Sequence, residues 1–265
     1  MSVLRLIQFT DPHLYGSETE TLRGIATLPA LKAALADAQA SPAWPPDLVL
    51  VTGDIVQDDP RGYRHFRPLF EPLGIPILCI PGNHDEPSVM RRELAGRPFR
   101  LDGCADFGRW RIVLLNSAVA GSASGRLSEA SLAQLDESLG GASGRHCLIA
   151  LHHHPVAMAS RWLDRVGLEN APDFFRVIDR HRNVRSIVWG HVHQAYDGLR
   201  RDVRLLGTPS TCAQFLPKAA EFAVDHRLPP AYRTIELQAD GTLLTEVMWV
   251  ESRAAGSSRS VCSVA

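Results

Sequence analysis

Residues 184–193 read VRSIVWGHVH. A Val- and Ile-rich run leads into Gly190, and His191 and His193 follow with one residue between them. A short apolar run bounded by glycine fits a strand buried on both faces. His-x-His then sets two imidazoles on one side of an extended segment, because strand side chains alternate with period two. The same arrangement recurs along the chain. VLRLIQF (3–9) is followed by Asp11-Pro12-His13, and DLVLV (47–51) by Gly53-Asp54. IPILCI (75–80) is followed by Gly82-Asn83-His84-Asp85, and CLIAL (147–151) by His152-His153-His154. A sixth run, RIVLL (111–115), ends in Asn116-Ser117, which reads as a strand-end turn.

Helical patterns separate these runs. Leu28, Leu31 and Leu35 repeat at three and four within 27–40. Asp59-Pro60 supplies a cap and first turn for 59–73, with Tyr63, Phe66, Phe70 and Leu73 on one face. Ser128 opens a helix carrying Leu132, Leu135 and Leu139, and Asn170 caps another containing Phe174, Phe175 and Ile178. Strands alternating with helices imply an α/β fold with a largely parallel centre. RTIELQADGTLLTEVMWV (233–250) changes the pattern: two alternating runs flank Ala-Asp-Gly, a hairpin signal that predicts a second, more antiparallel sheet. Residues 1–251 read as a single domain and 252–265 as a disordered tail of small and polar residues.

Composition excludes several functions. With 265 residues, 28 Lys plus Arg and 29 Asp plus Glu, no net field advertises nucleic acid or an anionic membrane. Arg176, Arg180, His181, Arg182 and Arg185 decorate a solvated helix end rather than a nucleic-acid surface, and Trp44 is loop packing. Cys79, Cys104, Cys147, Cys212 and Cys262 are an odd set with no CxxC spacing, so a disulfide framework is not expected. The opening MSVLRLIQFTDPH has no basic segment followed by an apolar one, and no stretch reaches the length of a membrane span. These features point to a cytoplasmic protein.

In an open α/β sheet, ligands bind beyond the carboxyl ends of the strands. Five clusters at such ends converge on one site. They hold His13, His84, His152, His153, His154, His191 and His193, most of the 11 histidines of the chain. Carboxylate, amide oxygen and imidazole suit divalent ions such as Mn, Fe or Zn, and the lack of thiolate argues against a structural zinc site. The donors outnumber the needs of one ion. Two ions ~3.5–4 Å apart can clamp the attacking and leaving oxygens of a phosphoryl displacement. Gly53, Gly82 and Gly190 let the backbone turn next to the ions. His153 points opposite to His152 and His154 in an extended segment, so one parity faces the ions, and alternation does not say which.

DPH, GD, GNHD, HHP and GHVH in this order resemble the calcineurin-like metallophosphoesterases, over nearly the whole body of the chain. VTGDIVQDDPRGY (51–63), IPGNHDEP (80–87) and GRLSEASLAQL (125–135) are similar to the bacterial class III cyclic-nucleotide phosphodiesterases. TPSTCAQF (208–215) and PPAYRTIEL (229–237) resemble the members of that group that act on 3′,5′-cyclic AMP. The resemblance implies a sandwich of two mixed β-sheets flanked by α-helices. It implies one metal on Asp11, His13, Asp54 and His193, and another on Asp54, Asn83, His153 and His191, with Asp54 bridging. Iron and manganese are the candidate ions, with zinc as a third. It makes the histidine two residues before the proline, His153, the ligand, and leaves His152 and His154 to backbone contacts or packing.

The chemistry implied is hydrolysis of 3′,5′-cyclic AMP to 5′-AMP by hydroxide generated from water between the two ions. His84 is expected as phosphate stabiliser and proton donor, with Asp85 orienting its ring. Asn83, His84 and His193 are expected around the phosphate. The partners expected are a cyclic nucleotide and, as in related enzymes, a second copy of the chain, with neither nucleic acid nor membrane. Two rival readings share the fold. One is hydrolysis of other small diesters, such as glycerophosphodiesters or 2′,3′-cyclic nucleotides, or a broad phosphatase. The other is a non-catalytic scaffold, which would be expected to lose ligands that this chain retains.

Overall fold

A computed structural model describes residues 3–250, and the tail expectation for 252–265 lies outside the described residues. Two six-stranded sheets stack face to face. The first runs Leu243–Trp249 (β14), Ala231–Leu237 (β13), Leu4–Phe9 (β1), Leu48–Val51 (β4), Ile77–Cys79 (β5) and Phe99–Arg100 (β6). The second runs Tyr196–Arg200 (β11), Val203–Gly207 (β12), Val184–Trp189 (β10), His146–Ala150 (β9), Trp110–Leu114 (β8) and Gly103–Phe107 (β7). β1, β4, β5 and β6 are parallel, as are β8, β9, β10 and β12. Antiparallel strands close three of the four sheet edges. A short ribbon, Thr21–Leu22 (β2) with Ile25–Ala26 (β3), stands apart.

The predicted hairpin forms, but the expected antiparallel sheet does not arise from it. β13 pairs with β1 from Leu4↔Leu237 to Gln8↔Arg233, so the hairpin extends the first sheet. The second sheet is built from the middle of the chain instead.

Alternation explains the layers. Leu4, Leu6, Leu48, Leu50 and Leu78 meet Ile112, Leu114, Leu148, Ala150, Val188 and Leu206 in the core between the sheets. The opposite parity, Ile7, Phe9, Val49, Val51, Ile77 and Cys79, faces the helices Thr27–Ala40 (α1), Tyr63–Phe70 (α2) and Pro87–Glu93 (α3). Val113, Cys147, Ile149, Ile187 and Trp189 likewise face Glu129–Gly140 (α4) and Ala171–Ile178 (α5). Strands buried on both faces must be apolar at every position, which is why they read as unbroken runs.

The helix ends follow local chemistry. Ser128 accepts from Ser131 N, a side-chain cap for α4. Asn170 precedes α5 but does not cap it with its side chain, which bonds both the N–H and the carbonyl of Leu127. The single helix expected over 59–73 is three pieces, a 3₁₀ turn at Pro60–Gly62, α2, and a second 3₁₀ turn at Glu71–Leu73. Pro72 lacks the N–H that would continue the α-helical ladder. Arg176 pairs with Asp173, and Arg180 and His181 with Asp136 on α4, as befits a solvated face. The four described cysteines are unpaired thiols. Among the described residues no helix is long and apolar enough to cross a membrane.

Candidate active site

The carboxyl ends of β1, β4, β5, β9 and β10 meet at one seam between the sheets. Backbone bonds zip the first two loops together: Asp11 N to Gly53 O, His13 N to Asp54 O and Leu14 N to Ile55 O, at 3.0, 2.9 and 2.9 Å. Asp11, His13, Asp54, His191 and His193 all take positive φ, between 48° and 66°. Non-glycine residues there cost roughly 1–2 kcal/mol each, and strain gathers where a surrounding structure fixes it for function. Gly190 is needed for room: a Cβ would run into the Thr10 hydroxyl and the Asp11 carboxylate.

Asp11 is wholly buried. Its carboxylate accepts from Thr10 Oγ1 at 2.6 Å and from His191 N at 3.0 Å. His193 Nδ1–H donates to Ala213 O at 2.6 Å, which turns Nε2 toward the site. That Nε2 lies 3.3 Å from Asp11 Oδ1 and 3.0 Å from His13 Nε2. His13 Nε2 is in turn 3.8 Å from Asp54 Oδ2. Asp11, His13, His193 and Asp54 thus surround one point.

Asp54 Oδ2 also faces a second group, lying 3.3 Å from His152 Nε2. His152 Nδ1–H donates to Thr52 O at 2.7 Å, and its Nε2 is 3.2 Å from Asn83 Oδ1. His191 packs on His152 with ring centroids 5.0 Å apart, and its Nε2 is buried with no hydrogen-bond partner. Here the structure departs from the expectation for His153. The position against Asp54 and Asn83 belongs to His152. His153 is close by, its ligand atom within 4.8 Å of those of His152 and His191. Its Nδ1, however, meets Ser117 Oγ at 2.8 Å, its ring lies on Gly125, and its Nε2 is unpartnered. His154 stacks on His191 at 5.6 Å and packs against Gly167.

Electrostatics suit cations. Burial, reinforced by neighbouring imidazoles, drives His153 and His191 well below the usual histidine range. Burial also lowers His13 to about 3 despite Asp54, and takes His154 to about 4. Neutral imidazoles are the form a metal binds. Burial opposes charge on His152 as well, but Asp54 overrides it and lifts His152 to about 9. Burial would raise Asp11 and Asp54, yet His193 and His152 hold them ionised below the ordinary carboxylate value. Two buried carboxylates, converging imidazole lone pairs and the orphaned His191 Nε2 fit a pair of metal ions.

Asp85 does not orient His84. Its Oδ1 accepts from Tyr63 OH at 2.6 Å and Val56 N at 3.3 Å, its Oδ2 from Gly82 N at 2.9 Å and Ile55 N at 3.1 Å. It fastens the Asp54 loop to the Asn83 loop. Burial, then repulsion from Asp54, pushes its carboxyl up to about 6. The carboxylate beside His84 is Asp58, 3.0 Å from Nδ1, with Gln57 donating to Asp58 at 2.9 Å. His84 N donates to Asp54 Oδ1 at 2.9 Å, and its ring is 5.2 Å from that of His13. Sequence reasoning left the choice between His152 and His153 to the resemblance, and it missed Asp58, whose only signal was its place four residues beyond Asp54.

The segment TPSTCAQF braces the site. Ser210 Oγ donates to Asp11 O, Thr211 N to Thr10 O, and Phe215 stacks on His193 with centroids 4.0 Å apart. Asn116 Oδ1 accepts from Ala118 N in the expected turn, while Ser117 reaches inward to His153.

Residues 4–195 match the family described as calcineurin-like phosphoesterase. The 3′,5′-cyclic adenosine monophosphate phosphodiesterase CpdA of Pseudomonas aeruginosa is 38% identical over 248 residues, 93% of this chain and 90% of that protein. The protein of the same name from Escherichia coli (strain K12) is 38% identical over 246 residues, 92% and 89% of the two chains. Among solved structures, a dimetal phosphatase from Danio rerio superposes with a TM-score of 0.65 at 13% identity, covering 94% of this chain and 99% of that one, which bears on the fold alone.

Proposed function

The chain belongs to the calcineurin-like phosphoesterase family, and from that premise we propose that it hydrolyses 3′,5′-cyclic AMP to 5′-AMP. The observation that carries the metal-dependent reaction is Asp54, whose Oδ2 stands 3.3 Å from His152 Nε2 and 3.8 Å from His13 Nε2, between two sets of donors. The likeness to cyclic-AMP phosphodiesterases over nine-tenths of the chain favours that substrate.

One ion would be held by Asp11, His13, Asp54 and His193, the other by Asp54, Asn83, His152 and His191. When bound, iron or manganese would supply Lewis acidity and lower the pKa of water so that a nucleophile exists near neutral pH. Attack at phosphorus in line with the 3′-oxygen breaks the P–O3′ bond, and the 3′-oxygen leaves needing a proton. His84 is the residue for that proton. Asp58 beside Nδ1 supports the protonated ring, leaving Nε2–H to bond a phosphate oxygen and then protonate the 3′-oxygen. Asn83 and His193 border the same cavity and would hold the phosphate.

The test is an assay of protein stripped and reloaded with manganese or iron. Substrates are 3′,5′-cyclic AMP, 2′,3′-cyclic AMP, glycerophosphocholine and a nitrophenyl phosphodiester. 5′-AMP from the first, lost on chelation, is expected. Turnover of another diester with none of 3′,5′-cyclic AMP would overturn the substrate, and silence on all four with metal bound would overturn the enzyme.

A further inference from the structure

His13, Asp54, Asn83, His191 and His193 form the floor of a cavity of about 230 Å³, and the wall above them is of different chemistry. Trp162, Phe215, Phe222 and Arg23 line it. Trp162 meets Phe215 and Phe222 edge-on, with centroids 5.3 and 5.0 Å apart and rings inclined at 74° and 76°. Phe222 is 41% exposed, and the Arg23 guanidinium carbon lies 4.7 Å from its ring centre. Trp162 Nε1 is buried without a hydrogen-bond partner.

A cluster placed only to pack would gather its rings on the core side, away from the charged donors, yet Trp162, Phe215 and Phe222 all border this cavity. It also would not leave a phenylalanine ring open beside a cavity whose floor is charged. A ligand that fills this space has an anionic end on the floor and a flat apolar end on the wall. A glycerol or choline headgroup has no flat face, whereas a purine has one.

We propose that Trp162, Phe215, Phe222 and Arg23 recognise the base of the nucleotide. The purine stacks on the Phe222 side of the cluster, with the Trp162 indole forming part of the apolar seat. This rests on the cyclic-nucleotide reading above and deepens it. A second cavity of about 470 Å³ adjoins Asn83 and His84 on the side of Ala118–Gly121. Apart from Tyr63, which is committed to Asp85, its wall offers no aromatic ring beyond His84 itself.

The test compares the wild type with Phe222→Ala and Trp162→Phe, each checked for an unchanged melting temperature. Substrates are 3′,5′-cyclic AMP, 3′,5′-cyclic CMP and the abasic 1-O-methylribose 3′,5′-cyclic phosphate. Tryptophan fluorescence is titrated with 5′-AMP as a readout independent of turnover. Phe222→Ala is expected to raise KM for cyclic AMP ~10-fold, the scale of one lost base–aromatic stack, and to leave the abasic substrate unaffected. Trp162→Phe is expected to narrow the preference for purine over pyrimidine and to remove the fluorescence response to 5′-AMP. Unchanged KM for cyclic AMP in both variants would overturn the proposal while leaving the substrate assignment standing. So would a rise in KM in Val119→Arg, at the second cavity, that Phe222→Ala lacks. A wild-type enzyme inactive on every cyclic nucleotide would remove both readings together.

Discussion

His152→Ala and His153→Ala are adjacent truncations with opposite expected outcomes. His152 Nε2 faces Asp54 Oδ2 at 3.3 Å and Asn83 Oδ1 at 3.2 Å, so its loss takes one of four donors from the second ion. Loss of a group that merely orients a ligand costs 10–100-fold in affinity, so loss of the ligand itself should exceed ~100-fold, or about 2.7 kcal/mol. Stabilisation by a bound ion scales with the logarithm of its concentration over Kd. At one saturating manganese concentration the metal-induced rise in melting temperature should therefore shrink by roughly 5–11 °C in His152→Ala, at ~2–4 °C per kcal/mol for a chain this size. His153→Ala keeps all the proposed donors. It removes a buried ring that touches Ser117 and Gly125, and should cost ~2–5 kcal/mol of stability, on the scale of other large-to-small core changes. Its melting temperature falls, yet the increment from manganese stays at the wild-type size. Metal per chain after dialysis, by elemental analysis, reads the same difference: near one ion for His152→Ala, two for His153→Ala. One ion in His153→Ala with two in His152→Ala would refute the assignment of the donor.

His84→Ala should retain both ions and lose at least ~100-fold in turnover, as expected for a proton donor; metal loss equal to that of Asp54→Ala would contradict its placement. Asp58→Asn, at a carboxylate 67% exposed, should lower kcat ~10-fold with melting temperature and metal content unmoved. Asp85→Ala removes the acceptor of three backbone N–H groups and the Tyr63 hydroxyl, each worth ~1–3 kcal/mol when orphaned. Melting temperature and metal content should fall together, and a variant that loses turnover alone would return Asp85 to the proton relay. Chelation should abolish hydrolysis of 3′,5′-cyclic AMP and reloading with manganese or iron restore it, measured by 5′-AMP release.

The strands that carry the candidate site were legible because each is buried on both faces and reads as an apolar run. Gly103–Phe107, Tyr196–Arg200 and Val203–Gly207 were not, since these segments are partly exposed and mix glycine, charged and apolar residues. The clusters at the run ends were legible as types of side chain, but their pairings were set by loops. Asp85 adjoins His84 in sequence, yet it turns back to Tyr63 and three backbone N–H groups, while Asp58 arrives from another loop through a positive-φ residue. No periodicity links Trp162, Phe215 and Phe222, because all three lie outside helices and strands. The choice among the three consecutive histidines shows the limit most sharply. In β9 and the residue after it, Leu148 and Ala150 face the core between the sheets, whereas Cys147, Ile149 and Leu151 face the helices. His152 continues the inner parity and His153 the outer one. Gln8 and Thr52 also continue the inner parity of their strands, and the three bond across the seam: Gln8 Nε2 to Thr52 Oγ1 and Trp189 O, and His152 Nδ1–H to Thr52 O. CLIAL is apolar on both faces, so alternation within it cannot tell which face will meet the other sheet. That is a property of two sheets packed together, and it decides which imidazole reaches Asp54.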